Sequence, residues 1–281
     1  MSRFLIEPKC AVGKVLDVNG AKTESETNIH LWKLGEGLHQ FFEFVDAGDG
    51  YFYIKACHCR DKVIDVTGGV VGNRINIQLY EKNDTNAQKF KKVYVDEGYY
   101  MFLSKLNENF CLDVANGAND NGTNIWLYTK NDSDAQKFKL INSLDAAIIY
   151  AKKYSNERNT KYKYYEGANC ANFCSQCLVA GGVPMSNEWK NEATAFINIK
   201  KLTKYFCSIG IELKFWPDIH DISRGDIIFC GNFFNKLTHA MFVIGKDGDN
   251  VKICANTNNR CDYPFHIKEV KAVLKTSWLL N

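Results

Sequence analysis

The chain has 281 residues, 46% of them hydrophobic and 24% charged, which is enough for two ordinary domains, each with its own core. Its net charge of +3 contains no basic block, which excludes nucleic acid as the main partner. The apolar runs are far too short to cross a bilayer, so no membrane insertion is expected.

Residues 1–10 lack an apolar core followed by a cleavage site, so no secretory signal is expected. The protein is therefore expected in the cytoplasm or released by a non-classical route. Eleven cysteines is a high and odd count, and Cys57 and Cys59 have only His58 between them, poor geometry for mutual pairing. Without an export signal, mostly free thiols in a reducing compartment are expected.

The N-terminal half repeats itself. Three Leu/Ile-Asp-Val triplets place Asp17, Asp65 and Asp113 at a constant step of 48 residues. Asn-Ile pairs at Asn28, Asn76 and Asn124 keep the same step. So do Gln-x-Phe units at Gln40/Phe42, Gln88/Phe90 and Gln136/Phe138. Short alternating apolar segments and Gly/Asn turns lie between these markers, which is strand-and-hairpin composition. Three strand-rich units with recurring core aromatics predict a closed threefold all-β structure rather than an open solenoid.

These residues resemble the ricin-B type β-trefoil lectin family. The best copy runs from Cys111-Leu112-Asp113-Val114 through Gly122-Thr123-Asn124-Ile125-Trp126-Leu127-Tyr128 to Gln136-Lys137-Phe138, and the resemblance covers residues 1–141. Phe stands where the family has Trp in Gln-x-Trp. The resemblance implies a carbohydrate-binding domain whose partners are glycans or glycoconjugates. There the aspartate accepts hydrogen bonds from sugar hydroxyls and an aromatic ring stacks on the sugar's C–H face. Carried over by position, the implied sites are Asp17 with Trp32, Asp65 with Tyr80, and Asp113 with Tyr128, together with Gln40, Gln88 and Gln136. The polar residue before the motif glutamine is His39 in the first repeat but Ala87 and Ala135 in the others, where Asn83 and Asn131 could supply the missing amide. The repeated Gln and Phe also suit a purely structural role, and the aspartates could brace turns.

A boundary is predicted at 141/142, where Asn142-Ser143 can cap an apolar helix over 144–154. A second, short helix is predicted from Cys170 to Ala180, stopped by Gly181-Gly182. Its first turn carries Cys170, where the partial positive charge of a helix N-terminus favours thiolate. A third helical pattern spans 196–206. Strands are expected at 227–229, 240–244, 251–255 and 270–278, with Asp247-Gly248-Asp249-Asn250 as a hairpin turn. His239 heads the second of them. A cysteine on a helix N-terminus followed by a histidine on a core strand is the chain order of papain-like cysteine hydrolases.

Other readings of Cys170 stay open at this point. It could be a buried structural thiol, or half of a redox pair with Cys174 one turn away. Cys170, Cys174 and Cys177 have the C-x3-C-x2-C spacing of radical-SAM iron–sulfur sites, but only 104 residues follow Cys177, without repeating strand–helix units. The same thiols could bind zinc, although no fourth ligand stands at finger-like spacing, so no metal and no cofactor are expected.

Residues 142–281 resemble the amidase domains of the papain-like clan. The matching elements include Tyr150-Ala151-Lys152-Lys153-Tyr154, Cys170-Ala171-Asn172-Phe173, Ser175-Gln176-Cys177-Leu178, Gly181-Gly182-Val183-Pro184, Arg224-Gly225-Asp226-Ile227-Ile228 and His239-Ala240-Met241. Asn169 replaces the family's usual Asp before the nucleophile, and Asn256-Thr257 its His-Thr. The resemblance implies an α+β cysteine hydrolase acting on a peptide or amide substrate, with Cys170 as nucleophile, His239 as base and Asn256 orienting the imidazole. The leading expectation is a glycan-binding cysteine amidase or peptidase. A lectin or agglutinin with an inactive papain-like scaffold is the alternative, and a lectin-targeted toxin would share the enzyme's chemistry.

Overall fold

The computed structural model describes residues 2–35, 37–231, 236–257 and 259–280. The chain forms two compact units, Met1–Asn142 and Ser143–Asn281.

The first unit is a β-trefoil, in which twelve strands are found among the described residues. Its first strand, Phe4–Pro8, pairs with its last, Phe138–Asn142, so the sheet closes on itself and leaves no free long edge there. Each lobe is built on one hairpin: Lys14–Val18 with Thr27–Lys33, Lys62–Val66 with Ile75–Glu81, and Asn107–Val114 with Ile125–Thr129. Alternation fixes which side chains face inward. Leu16, Ile64 and Leu112 enter one common core with Ile29, Ile77 and Ile125 from the facing strands. Phe42, Phe90 and Phe138 of the three Gln-x-Phe units complete it, all essentially without solvent exposure. Burying each such side chain contributes about 1.5–3 kcal/mol, so the threefold marker residues contribute substantially to the unit's stability. The lobes are also joined by the asparagines of the repeated Asn-Ile pairs. Asn28 Nδ2 donates to Asn124 Oδ1 at 2.9 Å, and Asn124 Nδ2 to Asn76 Oδ1 at 2.9 Å.

The second unit is α+β. Four helices precede or flank the sheet: α1 (Ser143–Tyr154), α2 (Cys170–Ala180), α3 (Thr194–Ile197) and α4 (Ile199–Ser208). Six antiparallel strands follow in spatial order Leu213–Phe215, Ala272–Leu274, Ile227–Gly231, Leu237–Asp247, Asn250–Ala255, Arg260–His266. Along Leu237–Asp247 the period-2 rule sorts the core: Ala240, Phe242 and Ile244 pack on the helical side, Met241 and Val243 into a second apolar cluster on the opposite face. All eleven residues of α2 are buried, so its polar side chains must be satisfied internally. Tyr150 Oη donates to Gln176 Oε1 at 2.8 Å and accepts from Asn159 Nδ2 at 2.9 Å. Ser175 Oγ donates to the Phe196 carbonyl at 2.8 Å and accepts from Trp189 Nε1 at 3.1 Å. Asp226 braces its turn, accepting from the backbone N–H groups of Ser223 and Ser277 and from Lys275 Nζ.

The predicted strand over 270–278 is split. Only Ala272–Leu274 is extended, and Thr276–Leu280 forms a 3-10 turn because the Asp226 carboxylate and the Gly225 carbonyl capture Ser277 and Thr276. Two further strands lie outside the predicted ones: Leu213–Phe215, only three residues long, and Arg260–His266, whose alternation is interrupted by Pro264.

Gly181 marks the closest approach in this unit. A Cβ there would lie 2.3 Å from Leu280 Cδ2 and 3.0 Å from both Ala147 Cβ and the Ser143 carbonyl oxygen. Gly181→Ala should therefore destabilise the unit by about 1–3 kcal/mol through overpacking. An unchanged urea-denaturation midpoint for the C-terminal unit would contradict this packing.

Candidate functional site

In each trefoil lobe the aspartate sits opposite a different residue on the neighbouring strand: Asp17 across from His30, Asp65 from Gln78, Asp113 from Trp126. That residue donates to one carboxylate oxygen, at 3.1, 3.0 and 2.5 Å respectively. The motif glutamine donates to the other, from Gln40 at 2.8 Å, Gln88 at 3.1 Å and Gln136 at 2.9 Å. Each glutamine also donates to a backbone carbonyl, of Lys33, Glu81 or Thr129, and accepts from a backbone N–H, of Gly35, Asn83 or Asn131. With every polar atom engaged and no exposure, Gln40, Gln88 and Gln136 hold the carboxylate in place and have nothing left for a ligand. They are positioning residues. His30, Gln78 and Trp126 escaped the sequence reading because they share a register position but not an identity.

The lobes differ at the carboxylate. His39 Nε2 lies 3.2 Å from Asp17 Oδ2, so Asp17 carries a third side-chain partner. Ala87 and Ala135 leave that place open in the other lobes. Asp65, Tyr80 and Asn83 line a cavity of about 750 Å3, and Asp113, Tyr128 and Asn131 one of about 390 Å3. The carboxamide oxygens of Asn83 and Asn131 accept from Thr85 and Ser133, which leaves their NH2 ends to donate. Trp32 stacks on His30 with ring centroids 5.6 Å apart, and Tyr128 on Trp126 at 5.8 Å.

These environments separate the three acids. Burial raises the Asp17 carboxyl, but hydrogen bonds from His30, His39 and Gln40 outweigh it and hold it below the ordinary 3.8. Burial raises Asp65 and Asp113 above that value, only partly offset by their two side-chain donors. The Asp17 contacts thus contribute stability that is present above 3.8 and lost as pH falls through its lower folded value. In a carbon-13 titration of the side-chain carboxyls, Asp17 should be the last of the three to protonate on acidification. Its protonating before Asp65 and Asp113 would refute this ordering.

In the C-terminal unit, Cys170 opens α2 and His239 lies near the start of strand Leu237–Asp247. Both line one cleft of about 1070 Å3. The backbone N–H of Ala240, the residue after His239, is close enough to the Cys170 sulfur to act on its charge. Cys170 and Ala240 belong to one core cluster, so the strand that carries the histidine packs beside the start of α2. Burial pushes the Cys170 thiol up, and the N–H groups of Ala240, Ala171 and Cys170 only moderate this. Burial, with the Arg260 guanidinium, pushes the His239 imidazole below its ordinary 6.5. Both shifts disfavour a standing thiolate–imidazolium pair. Cys174 and Cys177 sit wholly inside the apolar core, where burial holds their thiols well above the usual range. That makes them poor nucleophiles and poor metal ligands. All eleven cysteines are free.

Asn256 was expected to hold the His239 ring. Its carboxamide oxygen instead accepts from Asn169 Nδ2 at 3.2 Å. Asn169, which precedes Cys170, is a buried junction: its Oδ1 also accepts from Asn172 Nδ2 at 2.8 Å and from the Tyr165 N–H at 3.2 Å. Its importance was missed in the sequence, where it registered only as a departure from the family's aspartate.

Residues 4–138 match the ricin-type beta-trefoil lectin domain family, and residues 141–278 match the family described as "Putative amidase domain". The chain is similar to two proteins of Bacillus subtilis (strain 168). The uncharacterized protein YjcM is 30% identical over 130 residues, 42% of this chain and 32% of that protein. The uncharacterized protein YhbB is 29% identical over 122 residues, 38% of each chain. The chain thus spans about a third of the length of these relatives. Among solved structures, the designed threefold symmetric protein ThreeFoil is 27% identical, with a TM-score of 0.47, over 50% of this chain and 97% of that one.

Proposed function

Because the chain joins a ricin-type β-trefoil lectin domain to a domain of that amidase family, we propose that it is a glycan-binding cysteine hydrolase that cleaves an amide or peptide bond at a carbohydrate-bearing surface. The observation that carries this reading is that Cys170, at the start of α2, and His239, near the start of strand Leu237–Asp247, line one cleft.

The chemistry starts from the neutral pair. As the Cys170 sulfur attacks the amide carbonyl carbon, its proton passes to His239 Nε2 or Nδ1, and an S–C bond forms. The carbonyl oxygen becomes an oxyanion, stabilised by N–H groups at the start of α2, whose partial positive charge suits developing negative charge. His239 then protonates the leaving nitrogen as the C–N bond breaks. A water, deprotonated by His239, hydrolyses the thioester and returns the proton to sulfur. Asn256 acts through Asn169: their bond ties the segment after strand Asn250–Ala255 to the residue before the nucleophile, so Asn256 is a positioning residue. The trefoil raises the effective substrate concentration near glycan without adding any contact at the thiol.

A broad peptide and amide panel, run on wild type and Cys170→Ala with a thiol-directed peptidase probe, tests the reaction. Cys170→Ala should lower kcat by about 10^4-fold or more, His239→Ala nearly as much because the two act as a unit, and Asn256→Ala less. Glycan binding should not change in Cys170→Ala. Since the base must be neutral and its pKa is held down, kcat/KM should fall only below pH 6.5. If wild type and Cys170→Ala behave alike on every substrate and the probe leaves Cys170 unlabelled, the amidase-family half is a scaffold and the chain acts as a lectin.

For the trefoil, we expect the second and third lobes to bind sugar, with Asp65 and Asp113 accepting from hydroxyls and Tyr80 and Tyr128 as stacking platforms. Asp65→Ala or Asp113→Ala should weaken binding on a glycan array by about 10–100-fold at that lobe. Asp17→Ala should change it least, because His30, His39 and Gln40 already occupy that carboxylate. A larger loss from Asp17→Ala than from the other two would reverse this assignment.

A further inference from the structure

The cleft that holds Cys170 and His239 is one-sided in charge. Lys200 and Lys201 line it from the first turn of α4, and Lys236 lines it just before strand Leu237–Asp247. No aspartate or glutamate is among the described residues lining it. Elsewhere in this unit Lys214, Lys252 and Lys275 pair with Asp221, Asp262 and Asp226. Among the described residues, none of the three cleft lysines has such a carboxylate partner. The Arg260 guanidinium is also close enough to His239 to act on its charge. A third feature is apolar: Leu213, Leu237 and the half-exposed Phe215 line the same cleft. Unpaired cations of one sign in a concave site with apolar walls focus a positive potential on whatever enters.

From this arrangement we infer that the substrate is an acidic peptide: the cleft selects a chain bearing a carboxylate within reach of Lys200, Lys201 or Lys236, with an apolar side chain against Leu213 and Phe215. This specificity rests on the hydrolase reading only for the bond that is cleaved. Recognition itself needs no turnover. A lysine's three ammonium donors meet a carboxylate as a point charge without demanding bidentate geometry, so the selection is for charge rather than for one particular acid. Each exposed contact is individually weak, and discrimination comes from the sum of several in one concave site.

The test uses the full chain carrying Cys170→Ala, which can bind but not cleave. Its affinity for fluorescent N-acetylated octapeptides is read by anisotropy, with one position at a time set to Glu, Gln or Lys. Glu peptides should bind about tenfold more tightly than their Gln counterparts and Lys peptides more weakly, with the gap shrinking at high salt. The triple variant Lys200→Gln/Lys201→Gln/Lys236→Gln should lose the Glu preference while keeping its affinity for Gln peptides. The three single variants, each expected to lose about two- to fourfold, read out the same effect if the triple variant is unstable. Equal binding of Glu and Gln peptides, a preference for Lys, or no binding of any member would overturn the inference. Wild-type turnover separates it from the reaction. Cleavage without charge preference overturns the acidic specificity and leaves the hydrolase standing. Charge-selective binding with no cleavage and no probe labelling overturns the hydrolase and leaves an acidic-peptide site.

Discussion

The C-terminal unit is organised around a helix that has no solvent face. Because every residue of α2 is buried, each neighbour has to be shaped to it. Glycine at 181 admits the close approach of Ala147 and Leu280, serine and glutamine at 175 and 176 find fixed polar partners, and the strand Leu237–Asp247 presents small Ala240 at the helix start. The same burial places Cys170 in one core cluster with Ala240 of strand Leu237–Asp247.

Burial also decides the electrostatics. A helix N-terminus contributes about 0.3–1 kcal/mol to a nearby negative charge, up to about 2 kcal/mol when partly buried. Desolvating a thiolate opposes this, and at Cys170 desolvation is the larger effect. His239 shifts in the direction that complements it, since the burial that raises an acid lowers a base. The two shifts together disfavour a standing ion pair.

In the trefoil the legible part was whatever repeats. Asp, Asn-Ile and Gln-x-Phe keep their identity in three lobes because each has the same job: a clamped carboxylate, an inter-lobe bond, and a core ring. What could not be read was the residue across the strand from each aspartate, since histidine, glutamine and tryptophan can all donate one hydrogen bond from that position. The motif glutamines were legible as important but not in role. A glutamine satisfied at every atom looks the same in sequence as one that reaches a ligand.

Legibility in the second unit failed for a different reason. Cys170, His239 and the helix that joins them to the sheet were visible from local pattern, whereas the Asn169–Asn256 bond links positions 87 residues apart. Nothing in the local sequence around Asn256 distinguishes a carboxamide aimed at the imidazole from one aimed at the helix start. The difference matters for mechanism. A residue that orients the base would change the tautomer and basicity of His239 when removed, while one that fixes Asn169 would move the nucleophile and leave the imidazole alone. Asn169 also grips Asn172 and the Tyr165 backbone, so the Asn256 carboxamide is tied to the residue that precedes Cys170.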